Sequence, residues 1–474
     1  MSPRRLHIIG VALVVLSGCR IHDVQQPLSE TISLKESFQG PSGTNPKAPD
    51  TWWKVYEDPA LNQLVDSALS ANLQLSQAWA RLAQAGALSD QAKAASMPTV
   101  GAEVGASRAR TPSLFGDNQE SNQFSGSVSV GYEVDLWGGV RDMQDAALLD
   151  VRATRLDIEA MAMSLVAQVT EAYFDVIEQD RQLSLLEQQI QVSKDYLSLV
   201  EFRFGQGNAA ALDVLQQRQS LASLESRRPG AQTAKTLASH RLAVLLGEMP
   251  GSSLAVGGAL PSSPSLPNAG LPGDLLNRRP DLKAAELRVM ASDHRVGAAL
   301  ANQLPGLRIG ADVGTRAPEV DELVSDFVWS IFASVGATIW DGGRLEAEVD
   351  RSKAVVKERV EGYRAALLQC FQEVEDALAQ NHFHTQYVSS LSKQQELAAS
   401  TLAEARSRYM NGLSSYLPVL QSLQGLQEIQ RASLSAHRRE LSYRTALFRA
   451  LGGTWFNGLQ NPHSPRKDEE EKTQ

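Results

Sequence analysis

The chain has 474 residues, of which 43% are hydrophobic and 21% charged, with a formal net charge of -9 and a pI near 5.5. An acidic balance without a basic patch argues against nucleic acid as a partner. The length would suffice for two or three ordinary domains.

The N-terminus has the pattern of a secretory signal. Arg4-Arg5 precedes an apolar run, residues 8–16, that is too short to span a bilayer. The run ends in Leu16-Ser17-Gly18-Cys19, which resembles a bacterial lipoprotein box, in which the cysteine is lipidated. We therefore expect residues 1–18 to be a lipoprotein signal peptide and Cys19 to carry the lipid anchor. By resemblance to lipoprotein sorting, Arg20 allows export to the outer membrane. The alternative is an ordinary secretory signal with an incidental cysteine.

The segment after the signal is polar. Residues 19–51 are rich in Pro, Gly and Ser, which predicts an N-terminal tether rather than part of a core. Structure is expected to begin at Trp52-Trp53. From Pro59 to Ala95, apolar residues recur at helical spacing, which predicts one helix that Pro98 terminates.

The hydrophobic period then changes from that of a helix to that of a strand. At 100–106 and 124–136, apolar residues alternate with small or charged ones, which predicts two strands with one apolar face each. The second half of the chain supplies a similar pair at 307–313 and 327–339. Strands of this kind match segments of a membrane β-barrel. A sheet packed on helices in a soluble protein is the alternative.

Four such strands cannot close a barrel. Lipid excludes open sheet edges, and the smallest membrane barrels have about eight strands. If the strands lie in a membrane, the chain must share its sheet with other copies of itself.

Each strand pair leads into a glycine-rich junction with a tryptophan. The two junctions are Trp137-Gly138-Gly139 and Trp340-Asp341-Gly342-Gly343. Glycines between a strand and a helix permit a sharp bend, and tryptophan at a membrane boundary places its ring at the headgroup level.

A long helix is predicted to follow the first junction. From Ala162 to Phe204, apolar residues recur in alternating steps of three and four, with Glu, Gln, Arg and Asp between them. This pattern is typical of a helix that supercoils against a partner. Uninterrupted from Gly139, the helix would be about 100 Å long at 1.5 Å per residue. After a turn at residues 205–208 the chain returns, and Arg228-Pro229-Gly230 predicts a break in the returning helix.

The sequence of this whole unit, from helix to returning helix, is repeated in the second half of the chain. Residues 367–409 follow the frame of Ala162–Phe204 at an offset of 205, and the turn residues Arg203 and Gly207 correspond to Arg408 and Gly412. The duplication predicts a first repeat at 52–250, a Pro-rich linker at 251–272, a second repeat at 273–453 and a charged, partly disordered tail at 454–474.

Three features resemble the TolC-like outer-membrane efflux proteins, in particular the lipoprotein (NodT/OprM-like) subfamily that serves resistance-nodulation-division (RND) multidrug pumps. They are the segment Asn277-Arg278-Arg279-Pro280-Asp281, the paired Trp-Gly-Gly junctions and the paired Arg-aromatic-x-x-Gly turns. The resemblance covers about Trp52 to Gly453. Residue types also explain part of that segment, since Pro280 and Asp281 suit the start of a helix.

The resemblance implies a mostly α-helical chain with a membrane part. In this family three subunits each give four strands to a 12-stranded β-barrel, which continues into a long periplasmic α-helical barrel. The implied protein is lipid-anchored in the outer membrane and extends into the periplasm. It serves as a passive exit duct for drugs or other small molecules. The implied partners are outer-membrane lipid, a periplasmic adaptor (membrane fusion protein) and an inner-membrane RND transporter.

The resemblance also places a gate at the two turns, near Gly207 and Gly412. In the family, a carboxylate just after the first turn and an aromatic residue just before the second hold the periplasmic end closed. Here these are Asp213 and Tyr409, and we hypothesise a hydrogen bond between them. The alternatives are a solvated carboxylate at a helix start for Asp213 and a core heptad position for Tyr409.

A ring of carboxylates follows the second turn in some members of the family. Pro418 and Gln421 occupy the corresponding positions here. The sequence therefore argues against an acidic, cation-selective ring at this point.

No catalytic or cofactor motif is evident, and we expect no enzyme activity, no cofactor and no metal. His382 and His384 lie two apart on a helix, which makes a poor metal pair. Once Cys19 is lipidated, only Cys370 remains, and we expect it to be a small buried hydrophobe. Two other functions stay open: a type I protein-secretion outlet of the same fold, and a periplasmic coiled-coil adaptor, which the four strands oppose.

Overall fold

The computed structural model describes residues 21–23, 37–40, 45–47, 49–112, 119–254, 256, 258–324, 326–453 and 459–461. The predicted signal peptide and Cys19 lie outside the described residues, as does nearly all of the predicted tail. None of the helices in the described part of the chain combines the length and apolar character needed to cross a membrane.

The helices and strands have the following bounds: β1 Asn45–Lys47, α1 Pro59–Ala71, α2 Leu73–Ala94, β2 Thr99–Thr111, β3 Gln119–Val134, α3 Gly139–Gly205, α4 Ala211–Leu245, β4 Pro267–Asn268, α5 Asp274–Arg278, α6 Pro280–Ala301, β5 Gly306–Ala317, β6 Phe327–Gly336, α7 Arg344–Met410 and α8 Leu417–Ala450. The chain divides into two compact units. Of the described residues, the first contains 21–23, 80–112, 119–155, 282–324 and 326–365. The second contains 37–40, 45–47, 49–79, 156–254, 256, 258–281, 366–453 and 459–461.

The first unit contains an antiparallel sheet in the order β2-β3-β5-β6, so the four predicted strands are confirmed. The register collects apolar residues on one face, where a row crosses all four strands: Val100, Val130, Ala311 and Ile331. The neighbouring row, on the other face, consists of Gly101, Ser129, Asp312 and Ser330. The apolar face is exposed in the single chain, with Ile331 at 73%.

The last strand is shorter than predicted. β6 ends at Gly336, which lies opposite Gly306 at the start of β5. The predicted strand continued to Ile339, but residues beyond Gly336 have no β5 residue to pair with. Ile339 is 98% exposed.

The two long helices match the predicted duplication. α3 and α7 each contain 67 residues and run without interruption. Each follows a glycine-containing junction and ends in a turn that leads to a shorter returning helix, of 35 residues for α4 and 34 for α8.

The predicted break at Pro229 is wrong, because α4 is continuous from Ala211 to Leu245. Proline removes one backbone donor, which leaves the carbonyl of Glu225 without its helical partner. Pro229 is exposed, so solvent can hydrate this carbonyl. The hydroxyl of Thr233 donates to the carbonyl of Pro229 (2.9 Å) and supports the turn that follows.

The single helix predicted at 59–95 is instead two helices that meet at Asn72. The side-chain carbonyl of Asn72 accepts hydrogen bonds from the backbone of Gln74 and Leu75, at 3.0 Å each, and so caps α2. Its amide donates to the carbonyl of Leu245 at the end of α4 (2.8 Å). A contact distant in sequence therefore fixes the break.

Described parts of the predicted tether are attached to the second unit. The backbone amides of Gln39 and Gly40 donate to the carboxylate of Glu375, at 2.8 and 3.0 Å. β1 pairs in parallel with β4. Composition alone did not predict these contacts.

Arg279 fixes the Asn277–Asp281 segment in the second unit, and α6 begins at Pro280 as predicted. Arg279 is 3% exposed, and its guanidinium donates to Asp281 (2.7 and 2.9 Å), Glu373 (2.8 Å) and the carbonyl of Ala450 (3.3 Å). Burial opposes the charged form, but the bonds to Asp281 and the nearby carboxylates outweigh it and raise the pKa of Arg279.

Candidate functional site: the helical turns and the strand-to-helix junctions

The two turns that end α3 and α7 share one backbone geometry. Gly207 has a φ of +74° and Gly412 a φ of +71°, in the left-handed region that glycine adopts without strain. The closing hydrogen bonds also correspond: Asn208 N to Arg203 O and Leu413 N to Arg408 O, each 2.8 Å.

A hydrophobic cluster in the second unit packs the two turns together. We call it the turn cluster, and its buried members are Val200, Val214, Ala405, Tyr409, Tyr416, Val419 and Leu420. The rings of Tyr409 and Tyr416 meet edge to face, with centroids 5.2 Å apart. Tyr409 therefore occupies a core position, which was one of the two alternatives for it.

Arg203 connects the first turn to the second. Its guanidinium carbon lies 4.6 Å from the centroid of the Tyr409 ring, a cation–π contact. The same guanidinium donates to the carbonyl of Met410 (3.3 Å). The sequence marked Arg203 as a turn residue but did not predict this contact.

The hypothesised hydrogen bond between Asp213 and Tyr409 is absent. The Asp213 carboxylate accepts instead from the backbone amide of Ala210 (3.1 Å) and caps the start of α4, where a carboxylate also favours the helix dipole. Within the described part of the chain, the Tyr409 hydroxyl has no hydrogen-bond partner. Asp213 is thus a carboxylate at the start of a helix, which was the alternative to its role in a gate.

A buried hydrogen-bond chain that the sequence did not predict extends from the turn cluster. The hydroxyl of Tyr416 donates to the side-chain carbonyl of Gln217 (2.8 Å). The Gln217 amide in turn donates to the backbone carbonyl and hydroxyl of Ser193, at 2.8 and 2.9 Å. All three residues are fully buried, and burial raises the pKa of Tyr416. Ser193 is a polar residue at a position of α3 where the pattern otherwise places apolar residues. This was the one sequence feature that indicated a buried hydrogen bond here.

Further polar side chains join α3 to α8 along the second unit. We call this set the polar zipper, and it comprises the side chains of Glu178, Gln182, Gln189, Arg431 and Ser435 together with the backbone carbonyl of Gln427. Gln189 donates to the carbonyl of Gln427 (3.0 Å) and accepts from Arg431 (2.6 Å). Gln182 donates to Ser435 (3.0 Å), whose hydroxyl donates to Glu178 (2.6 Å). Donors and acceptors therefore alternate across the interface.

Pro418 and Gln421 lie at the start of α8, where both are exposed. The first turn of α8 carries no acidic side chain. The carboxylate pattern that some family members show after the second turn is therefore absent from this position.

The first strand-to-helix junction is closely packed. The indole nitrogen of Trp137 donates to the carbonyl of Pro305 (2.7 Å). Gly138 has a φ of +78°, and a Cβ on Gly139 would lie 2.7 Å from the Cβ of Ala301. The glycines thus permit both the bend and the close approach of α3 to α6.

The second junction is more open. Gly342 and Gly343 have positive φ, at +71° and +87°, and the Asp341 carboxylate caps α7 by accepting from three successive backbone amides. Trp340 is 88% exposed in the single chain. Its ring is available to a lipid or protein neighbour.

Comparisons with known proteins agree with this architecture. The sequence profile of the outer membrane efflux protein family matches residues 64–248 and again residues 271–453. The chain is 30% identical over 472 residues to the pyoverdine export outer membrane protein OpmQ of Pseudomonas putida, covering 96% of this chain and 98% of that protein. It is also 30% identical over 480 residues to the toluene efflux pump outer membrane protein TtgF of Pseudomonas putida, covering 97% and 99%.

The solved structure of the outer-membrane channel OprN is similar at a TM-score of 0.86 and 27% identity, over 92% of this chain and 100% of that one. The profile matches twice, and the fold contains a four-stranded sheet and two long helical hairpins. The chain therefore belongs to the outer membrane efflux protein family and is an outer-membrane channel component of an efflux system.

Proposed function

We propose that three copies of this chain form a passive exit duct through the outer membrane. A periplasmic adaptor and an inner-membrane RND transporter would deliver drugs or other small molecules to it and supply the energy. The single observation that carries the proposal is the sheet: four strands with one exposed apolar face, attached to two 67-residue helices.

The sheet edges support the trimer. Within the described residues, β2 and β6 each pair with a neighbour on one side only. In lipid, an open edge leaves backbone donors and acceptors without partners, at several kcal/mol each. Pairing β2 of one copy with β6 of the next removes both edges, and three copies of four strands close a barrel.

The faces of the sheet support a water-filled lumen. The row of Gly101, Ser129, Asp312 and Ser330 lies opposite the apolar face, and Ser330 donates to Asp312 (2.6 Å). Membrane barrels place their apolar residues toward lipid and their polar residues toward the interior. The apolar row would then contact lipid.

The turn cluster supports a gate at the end of the helices. The contact of Arg203 with Tyr409 joins the two turns of one subunit at their exposed tips. We propose that these turns, with Gly207, Gly412, Pro418 and Gln421, form the periplasmic mouth of the duct.

The relatives support small molecules as the cargo. OpmQ is named for pyoverdine export and TtgF for toluene efflux. We propose a small-molecule cargo for this chain on that basis, in preference to secreted proteins.

The decisive experiment is isolation of the full chain from outer membranes in detergent, followed by native mass spectrometry and single-channel recording in planar bilayers. We expect a heat-sensitive trimer with a discrete conductance. A monomer that stays in solution without detergent would contradict the proposal.

Lipidation is tested separately. Labelling with radioactive palmitate is expected to mark the unmodified chain and not Cys19→Ser. Equal labelling of both would show that Cys19 is not the anchor.

A further inference from the structure

Three side chains of metal-binding type lie together in the first unit. Asp142 and Asp145, in the first two turns of α3, face His294 on α6. Nδ1 of His294 lies 2.9 Å from Oδ1 of Asp142 and 4.0 Å from Oδ2 of Asp145. One ligand atom from each residue lies within 4.8 Å of the other two.

The three groups are close enough to share a single metal ion. His294 and Asp142 form a hydrogen bond, and an ion would take the place of its proton. Tetrahedral coordination at about 2.0–2.1 Å requires ligand atoms about 3.4 Å apart, so this pair would separate slightly and Asp145 would move closer. Asp142 is 1% and His294 8% exposed, so these two groups are held in place. The Asp145 side chain is 40% exposed and has room to close the remaining gap.

The donor types favour a transition metal. One imidazole nitrogen with two carboxylate oxygens is a donor set that Zn²⁺, Cu²⁺ and Ni²⁺ accept, whereas Mg²⁺ and Ca²⁺ prefer oxygen alone. With a neutral imidazole the three side chains sum to a charge of -2. A divalent cation would balance this charge.

The backbone is shaped to bring Asp142 close. A Cβ at position 297 would collide with Oδ2 of Asp142, so Gly297 lets the carboxylate lie against α6. This approach aims Asp142 at the face of α6 that carries His294.

The repeat does not keep the cluster. Gly343 corresponds to Gly139 at an offset of 204, and by that offset Asp142 corresponds to Glu346 and Asp145 to Val349. By the offset of 207 that relates α2 to α6, His294 corresponds to Ala87. Apolar residues therefore replace two of the three metal-binding side chains at the corresponding positions of the other repeat.

We propose that Asp142, Asp145 and His294 bind one divalent transition-metal ion of the Zn²⁺ class. The ion would link the start of α3 to α6. α3 follows β3 and α6 precedes β5, and these two strands pair at the centre of the sheet. The ion would therefore stabilise the two helices that connect directly to the central strands.

The test uses the full chain in detergent, treated with a chelator and dialysed. Isothermal titration with Zn²⁺, with metal content measured by mass spectrometry, is expected to give one ion per chain, and titration with Mg²⁺ none. His294→Ala and Asp145→Asn are each expected to weaken Zn²⁺ binding by at least about tenfold. Asp145→Asn is the safer variant for folding because its side chain is partly exposed.

The control is the double variant His382→Ala/His384→Ala, which removes two histidines of α7 that lie outside the cluster. His384 contacts the carbonyl of Ala436, and His382 contacts Gln386. This variant is expected to bind Zn²⁺ as the unmodified chain does. Electron paramagnetic resonance with Cu²⁺ is expected to show coupling to one imidazole, which His294→Ala abolishes. Unchanged Zn²⁺ binding in His294→Ala, or loss only in the α7 variant, would overturn the proposal. None of these outcomes depends on whether the duct conducts.

Discussion

Replacing Tyr416 with phenylalanine tests whether the buried hydrogen-bond chain stabilises the turns. The change removes the donor to Gln217 (2.8 Å) and keeps the ring in contact with Tyr409. Gln217 is 0% exposed, so its side-chain carbonyl would be left buried without this donor. An unsatisfied buried acceptor costs about 1–3 kcal/mol.

That cost applies to local opening of the turns, because Tyr416, Gln217 and Ser193 all lie close to them. A loss of about 1–3 kcal/mol raises the population of the open form about 5- to 150-fold. Hydrogen–deuterium exchange of the detergent-solubilised protein, read on peptides that cover residues 190–220 and 405–425, measures this directly. We expect faster exchange by this factor in those peptides and unchanged exchange in the strands.

Tyr387→Phe is the matched control, since Tyr387 lies on α7 with 47% of its surface exposed. We expect it to leave exchange unchanged. Exchange in Tyr416→Phe within twofold of the unmodified protein would refute the reasoning, because the Gln217 carbonyl would then not need its partner.

Five further changes have defined outcomes. Arg203→Ala should weaken the contact between turns by about 0.5–2 kcal/mol and increase single-channel open time, whereas Tyr409→Phe should leave conductance unchanged because its hydroxyl has no hydrogen-bond partner in the described structure. Gly207→Ala should cost about 1–2 kcal/mol at a φ of +74° and speed exchange at the turn, while Gly205→Ala, with open space around its Cβ, should not. Arg279→Ala should lower stability by about 1–3 kcal/mol, seen as a lower apparent Tm, since it removes the buried donor to Asp281, Glu373 and the carbonyl of Ala450.

The sequence predicted the elements whose signal is local. The strands follow from a period of two, the long helices from alternating steps of three and four, and the turns from Gly207 and Gly412. All of these are present in the structure.

The sequence did not predict features that depend on distant partners. Whether Pro229 breaks a helix depends on whether the freed carbonyl faces solvent, and the break at Asn72 depends on Leu245. The carboxylate of Asp213 binds the backbone amide of Ala210, three residues away. Local composition could not show that this partner would be preferred to Tyr409. Asp142 and His294 are 152 positions apart, so no spacing rule would have paired them.

The polar zipper has a mechanical consequence. Its donors and acceptors meet at a single axial offset between α3 and α8, so sliding one helix past the other by a turn of 5.4 Å would mismatch several side chains at once. The two helices then behave as one stiff rod. If the turns form the mouth of the duct as proposed, the zipper favours widening by tilting of these helix pairs, or bending of their ends, over sliding of α3 along α8.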